Sequence, residues 1–153
     1  MAPPQLSLKG RALRLLSGRE HSRAELERKL ARYEEIPGSL AQALNELEAK
    51  GFISEQRVIA SLLHQRASKL GNARLKQELR GKGLDPVAVG EALVGLQGSE
   101  TERALAVWQK KFGEPAHDAQ VAARQMRFLA SRGFSGEVIR RVVTGRGVVD
   151  DQD

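Results

Sequence analysis

The chain has 153 residues, of which 41% are hydrophobic and 29% charged, a composition typical of a folded protein rather than a disordered one. It contains no cysteine, which excludes disulfides and thiolate zinc sites, and its few aromatic residues disfavour a β-sandwich or barrel. The formal net charge of +6 predicts attraction to polyanions or to acidic partners.

The sequence predicts neither a membrane span nor a signal peptide. No apolar run approaches the ~20 residues needed to cross a bilayer. The first residues, Met1 to Gln5, lack the charged and apolar regions of a signal peptide. We therefore expect a cytoplasmic protein with no membrane partner.

The sequence repeats itself with a period of about fifty residues. A shift of 49 aligns the first stretch with the second, and a further shift of 50 aligns the second with the third. Residues related by these shifts share their character, as in the pairs Leu26 and Leu75, Leu30 and Leu79, Leu79 and Leu129, and Gly83 and Gly133. The register predicts three repeats, at residues 8–50, 54–97 and 100–145, each made of three short helices.

Capping signals place the helices of the first repeat. Apolar residues at helical spacing predict a first helix from Leu8 to Leu16. Ser22 and Glu25 have the spacing of a capping box, which predicts that the second helix begins there. A third helix is expected through residues 40–47, ended by Gly51 in a left-handed conformation.

The second and third repeats show similar signals. Ser54 is expected to begin the second repeat, and Gly83, Asp85 and Pro86 are spaced as a C-terminal glycine, an N-cap and a first helical proline. Ser99 with Glu102 predicts another capping box. A longer helix is then expected near 117–132, and the last helix is expected to end at Val143.

These elements predict an all-α protein, built as an elongated array of three tandem three-helix repeats. A three-helix unit of this size buries its own apolar faces poorly, so we expect neighbouring repeats to share a core. A long surface of this kind suits binding to a polymer better than enclosing a small molecule.

Signals for catalysis are almost absent. The three histidines, His21, His64 and His117, fall in different repeats without a second ligand at metal-binding spacing, so solvated or capping roles are expected for them. There is no phosphate-binding Walker sequence and no dinucleotide fingerprint. We expect no enzyme activity, no catalytic residue, no cofactor and no metal.

Positive charge is concentrated in the middle and last repeats. From Arg66 to Lys82 there are six basic residues against one acidic residue, and from Arg103 to Arg146 there are nine against three. The chain before Arg66 is close to balanced. The residues that we predict to contact a partner are Arg66, Lys69, Arg74, Lys76, Arg80, Lys82, Arg124, Arg127 and Arg132.

The kind of partner stays open on charge alone. Phosphate contact needs only arginine and lysine density. Base stacking needs exposed aromatic residues, whereas Trp108 and Phe128 fall mainly at expected core positions. Helix-turn-helix readout of DNA is a competing interpretation, although no repeat has a distinctive recognition helix.

Four segments in the same order and spacing resemble the RecX family of bacterial recombination regulators. They cover roughly residues 8–143 and read SRAELERKL from Ser22, RASKLGNARLKQELRGKGLDP from Arg66, KKFGEP from Lys110 and RQMRFLASRGFS from Arg124.

The resemblance implies a non-enzymatic protein of DNA repair, homologous recombination and the SOS response that binds in the groove of RecA filaments on single-stranded DNA. Such a protein inhibits filament extension, ATP hydrolysis, strand exchange and coprotease activity. The expected partner is the RecA filament, with single- and double-stranded DNA as further candidates, and the protein is expected to be a monomer. The alternatives are a stand-alone helical-repeat nucleic-acid-binding protein and an adaptor for another acidic protein.

Overall fold

The computed structural model describes residues 5–144 and consists there of α-helices and short 3₁₀ turns, without β-strands. The first unit comprises α1 (Leu8–Gly18), α2 (Arg23–Leu30) and α3 (Ser39–Ala49). The second comprises α4 (Glu55–Arg66), α5 (Asn72–Gly81) and α6 (Pro86–Val94). The third comprises α7 (Glu100–Lys111), α8 (Ala119–Ser131) and α9 (Gly136–Val143). The predicted all-α array of three three-helix repeats is confirmed, while its predicted end at residue 145 lies outside the described residues.

Local capping determines where most of these helices begin and end. The Ser22 hydroxyl accepts the Glu25 amide at 3.1 Å, and the Glu25 carboxylate accepts the Ser22 amide at 3.0 Å, so the predicted capping box is confirmed. Asp85 caps α6 ahead of Pro86, as expected. Gly51 has a φ of 85°, which confirms the left-handed end of α3.

The capping box predicted at Ser99 and Glu102 is wrong. Residues Gln97–Ser99 form a 3₁₀ turn, and Ser99 has helical dihedral angles (φ −103°, ψ −3°) instead of the extended ones of an N-cap. Its hydroxyl donates to the Leu96 carbonyl and accepts from Arg103 Nε. The turn leads directly into α7, so the Ser99 side chain does not reach the first-turn amides.

Each unit has its own hydrophobic core, which contradicts the expectation of a shared one. The buried clusters centre on Leu26 and Leu44 in the first unit, Leu75 and Leu79 in the second, and Leu129 in the third. In the third core the Trp108 indole is 7% exposed and donates to Gln125 Oε1 at 2.9 Å. The three helices of a unit bury their apolar faces against one another, and hydrogen bonds and an ion pair connect each unit to the next.

The first joint connects the N-terminal end of α2 to the C-terminal end of α5. The Ser22 hydroxyl donates to the Lys82 carbonyl, and Lys82 Nζ lies 3.3 Å from the Glu25 carboxylate. Gly83 has a φ of 72°, and a Cβ at this position would lie 2.6 Å from the Ala24 Cβ. The joint therefore requires glycine for both conformation and space.

The second joint repeats this arrangement between α5 and α8, mainly through the main chain. The Gly71 amide donates to the Arg132 carbonyl at 2.8 Å, and the Ala73 amide donates to the Gly133 carbonyl at 3.2 Å. Gly133 has a φ of 90°, and a Cβ there would overlap Arg74. Gly83 and Gly133 are thus equivalent in structure as well as in the predicted sequence register.

None of the helices among residues 5–144 has the length and hydropathy to cross a membrane.

Candidate cationic cleft at the second joint

An open cleft of about 540 Å³ lies where the loop after α4 meets α7 and α8. Its floor is apolar, formed by Ala106, Val107 and the Phe128 ring. Its positively charged lining consists of Lys69, Lys110, Lys111 and Arg132. No acidic residue among those described lines this cleft.

An aromatic pair holds part of this positive charge. The rings of Phe112 and Phe128 meet edge to face, with centroids 5.4 Å apart. Lys111 Nζ and the Arg132 guanidinium lie 5.4 Å and 5.0 Å from the Phe128 centroid. These cation–π contacts hold both positive charges over apolar surface. The arrangement therefore fits a ligand that has acidic and apolar parts.

Arg103 holds the loop that carries Lys69 against the third unit. Its guanidinium donates to the Ala67 carbonyl at 3.0 Å and to the Leu70 carbonyl at 2.6 Å. Burial lowers the pKa of Arg103, while the nearby Glu100 carboxylate raises it. Since an arginine stays protonated even when its pKa is lowered, this side chain is a permanent clamp across the joint.

Glu100 completes this clamp. Its side chain is buried, and its two carboxylate oxygens accept the Asn72 amide at 3.0 Å and the Ser135 amide at 3.2 Å. Asn72 begins α5 and Ser135 caps α9. One carboxylate therefore connects the second unit to the third. This contact helps to fix the relative position of the elements that line the cleft.

The structure brings two of the nine predicted partner residues together in this cleft, Lys69 and Arg132. Arg66 donates to the Glu78 carboxylate at 3.1 Å and 3.2 Å. Arg74 donates to the Ser131 carbonyl at 2.9 Å, and Lys82 pairs with Glu25 across the first joint. These three residues have structural partners. Those that are exposed and form no ion pair within residues 5–144 are Lys76, Arg80, Arg124 and Arg127.

Lys110 and Lys111 were not among the predicted partner residues, although both line the cleft. Their signal in the sequence is a pair of adjacent lysines in the last turn of α7, directly before the helix-ending segment at Gly113. Cations are favourable at a helix C-terminus, so the pattern by itself also has a purely local explanation. The packing of α7 beside Lys69 and Arg132 shows that the two lysines also line the cleft, which the local explanation does not predict.

The corresponding cleft at the first joint is much smaller. It measures about 50 Å³ and is lined by Arg19, Glu20 and Lys82. Glu20 accepts from Arg57 at 2.9 Å, so its carboxylate supplies negative charge where the second joint has Lys69. Of the two joints in the described residues, the second therefore has the larger cleft and the one lined by cations without a carboxylate.

Of the roles predicted for the histidines, His21 is not solvated, but it hydrogen-bonds the carbonyl of Arg19, the C-cap residue of α1. His21 is 2% exposed; its Nδ1 donates to the Arg19 carbonyl, and its Nε2 accepts from Lys29 Nζ, each at 3.1 Å. Burial lowers the pKa of His21, against the hydrogen bond to Arg19, which raises it. His64 and His117 are exposed, and no cluster of potential metal ligands occurs among the residues described.

Three family models match consecutive parts of the chain. They describe the first, second and third three-helix domains of RecX and match residues 9–50, 54–93 and 99–143.

Whole-chain relatives carry the name Regulatory protein RecX. The protein from Leptothrix cholodnii is 52% identical over 140 residues, covering 92% of this chain and 89% of its own. The protein from Ralstonia nicotianae is 47% identical over 156 residues, covering 100% of this chain and 98% of its own.

Solved structures of similar proteins have the same fold. The crystal structure of RecX from Lactobacillus salivarius superimposes with a TM-score of 0.75 at 19% identity, covering 93% of this chain and 96% of that one. A second crystal structure, of a regulatory protein RecX, has a TM-score of 0.73 at 21% identity and covers 88% of this chain and 70% of that one.

Proposed function

Because the chain belongs to the RecX family, we propose that it is a negative regulator of the RecA recombinase that binds in the groove of RecA filaments on single-stranded DNA. In this proposal it acts by occupying the filament and not by catalysis. Binding limits filament extension, ATP hydrolysis, strand exchange and coprotease activity. It does so because its contacts differ between assembled and free RecA, which is the condition for a ligand to shift an assembly equilibrium.

The cleft at the second joint is the observation that carries the mechanism. Four cations surround an apolar floor without a neutralising carboxylate, so the cleft fits acidic and apolar side chains of a protein surface. We assign Lys69, Lys110, Lys111 and Arg132 to direct contact with RecA. The exposed residues Lys76, Arg80, Arg124 and Arg127 extend this contact along α5 and α8.

The first prediction concerns inhibition of RecA by the cleft. Wild-type protein is expected to slow ATP hydrolysis by RecA on single-stranded DNA at a substoichiometric ratio. The double variant Lys69→Glu, Lys110→Glu reverses two charges of the cleft, and we expect it to need at least about tenfold more protein for the same inhibition, equivalent to about 1.4 kcal/mol of binding.

The control is the double variant Lys50→Glu, Arg140→Glu, which makes the same change of charge at exposed positions away from the cleft. It is expected to inhibit like the wild type. Equal loss in both variants would show that net charge alone matters, and would contradict the assignment of the cleft. No effect of wild-type protein at an equimolar ratio would contradict the function itself.

Titration of DNA without RecA separates this proposal from the stand-alone nucleic-acid-binding alternative. The alternative requires tight binding, with an affinity for single strands that falls by roughly 0.7 log units per phosphate contact for each tenfold rise in salt concentration. Weak binding at physiological salt, together with inhibition of RecA, supports the regulator.

A further inference from the structure

The first unit contains a second cationic cleft, which is distinct from the one at the second joint. It consists of two adjoining cavities of about 380 Å³ and 320 Å³ between α1, the end of α2 and the segment that follows. Both are lined by Leu6, Arg11, Arg32 and Tyr33. Their sizes are in the range of small-molecule sites.

Four basic side chains line the inner cavity: Arg11, Arg14, Lys29 and Arg32. No acidic residue lines it, and within residues 5–144 none of the four forms an ion pair. Glu35 lines only the outer cavity. The repulsion among these cations is therefore not offset by an ion pair within the described residues.

The first unit has similar numbers of basic and acidic residues, but the two kinds of charge lie in different parts of the structure. Most of its glutamates are directed to other parts of the molecule. Glu46 pairs with Lys9, Glu34 accepts the Leu40 amide at 2.9 Å, and the remaining pairs are Glu20 with Arg57, Glu25 with Arg19 and Lys82, and Glu27 and Glu48 with Arg23. The acidic residues thus neutralise the joint and the α2–α3 face, and the cleft keeps its positive charge.

Three of the four charged groups of the inner cavity are held in position by their neighbours. The Arg11 guanidinium lies 3.7 Å from the centroid of the Tyr33 ring, and that of Arg32 lies 4.7 Å from it. Arg32 also donates to the Tyr33 hydroxyl at 2.6 Å, and Lys29 Nζ is 3.1 Å from His21 Nε2. Side chains that are already ordered lose less entropy when a ligand binds.

The composition of the lining favours phosphate over other anions. Three of the four cations are arginines, whose planar guanidinium groups match phosphate oxygens in a bidentate geometry. A charge of four plus exceeds what a single carboxylate neutralises, whereas closely spaced phosphates match it. Leu6 is 40% exposed and Tyr33 is half-buried, so apolar surface is available beside the charge for the organic part of the ligand.

We propose that this cleft of the first unit binds a small polyphosphate ligand, of the class of nucleoside diphosphates and triphosphates. Arg11, Arg14, Lys29 and Arg32 hold the phosphates, and the organic group lies against Leu6 and the Tyr33 side chain. This site is independent of the proposed action on RecA, because it lies in a different unit from the cleft assigned to that action.

Calorimetric titration of the full chain with ADP, without RecA or DNA, tests the proposal. We expect saturable binding of ADP and of pyrophosphate, and binding of AMP weaker by about tenfold because one phosphate is missing. The double variant Arg14→Gln, Arg32→Gln changes two exposed side chains and is expected to weaken ADP binding by at least about tenfold. The control Lys50→Gln, Arg140→Gln removes equal charge elsewhere and is expected to bind ADP like the wild type.

Circular dichroism of each variant checks that its helical content is unchanged. Three results would overturn the proposal: no binding of ADP at millimolar concentration, equal ADP binding by the Arg14, Arg32 variant and the wild type, or binding of a short oligothymidine without binding of ADP. Since no measurement includes RecA, a failure here is separate from a failure of the proposed regulation.

Discussion

Glu25 combines two roles in one buried carboxylate. It accepts the Ser22 amide within the capping box of α2, and it pairs with Arg19 at 2.8 Å and with Lys82 at 3.3 Å across the first joint. Burial favours the protonated form, but the hydrogen bonds from Arg19 and Ser22 and the charge of Lys82 outweigh it and lower the pKa of Glu25 from 4.5 to about 2. The ionised carboxylate thus contributes to folding as well as to the joint.

The second prediction follows from this pKa. A carboxylate with a lowered pKa in the folded state stabilises the protein above its unfolded pKa, and this contribution is lost as the pH falls from 4.5 towards 2. Glu25→Gln is expected to lower the free energy of unfolding by about 2 kcal/mol at pH 7, since the charges of Arg19 and Lys82 lose their partner. Its stability should also fall less steeply than that of the wild type below pH 4.5.

Urea unfolding at a series of pH values measures both effects. Glu91→Gln, at an exposed position without an ion pair among the described residues, is the control and is expected to follow the wild type. A Glu25→Gln variant with the acid dependence of the wild type would show that the joint does not depend on this charge.

At the scale of elements, glycines at helix C-termini have two separable functions. Gly51 and Gly133 end α3 and α8 with φ values of 85° and 90°. A Cβ at Gly51 meets no atom within 4 Å, whereas one at Gly133 would overlap the Arg74 backbone and side chain. The first glycine serves conformation alone, and the second also allows the contact between units.

The third prediction compares alanine at these two sites. Gly51→Ala is expected to cost about 1–2 kcal/mol of folding free energy, the usual penalty for a left-handed non-glycine residue. Gly133→Ala adds the overlap with Arg74, so we expect a larger loss and weaker protection of the Gly71 and Ala73 amides from hydrogen exchange. Equal losses of folding free energy in the two variants would show that the overlap with Arg74 is relieved without cost, and would contradict the role of Gly133 in the contact between units.

At the scale of the whole molecule, three separate cores are connected by polar joints. The buried apolar residues of each unit cluster with one another and not with those of the next unit. Stability of such an array is the sum of the stability within each unit and the coupling at each joint. The strength of the contacts at the joints therefore determines how cooperatively the three units unfold.

The fourth prediction concerns a core substitution in the third unit. Leu129 is 0% exposed, so Leu129→Ala is expected to cost about 2–5 kcal/mol. Because the cores are separate, hydrogen exchange should accelerate in α7, α8 and α9 before it does in α1, α2 and α3. Leu79→Ala, equally buried in the second unit, is the matched variant and should accelerate exchange in α4, α5 and α6 first. Uniform acceleration from α1 to α9 in either variant would show that the joints couple the units fully.

The sequence allowed the repeats and most caps to be predicted because these depend on neighbours within a few residues. Ser22 with Glu25, and Asp85 with Pro86, act locally and were predicted correctly. Ser99 has the same local pattern, but it adopts helical angles in the turn before α7, so the pattern alone was insufficient.

The candidate site was predictable only in part. Lys69 and Arg132 were recognised as cations, but their meeting depends on how the second and third units pack. The same charge counts included Arg74, which the structure places against the Ser131 carbonyl at the second joint. Composition locates an excess of charge, and only three-dimensional contacts show which charges remain without a partner.

The position of Trp108 has a practical consequence. It is the single tryptophan of the sequence, and it lies in the core of the third unit with its indole bonded to Gln125. Its intrinsic fluorescence therefore reports on that unit alone, while the far-ultraviolet signal averages over every helix. The separation between the two melting curves gives a direct optical measure of how strongly the third unit is coupled to the other two.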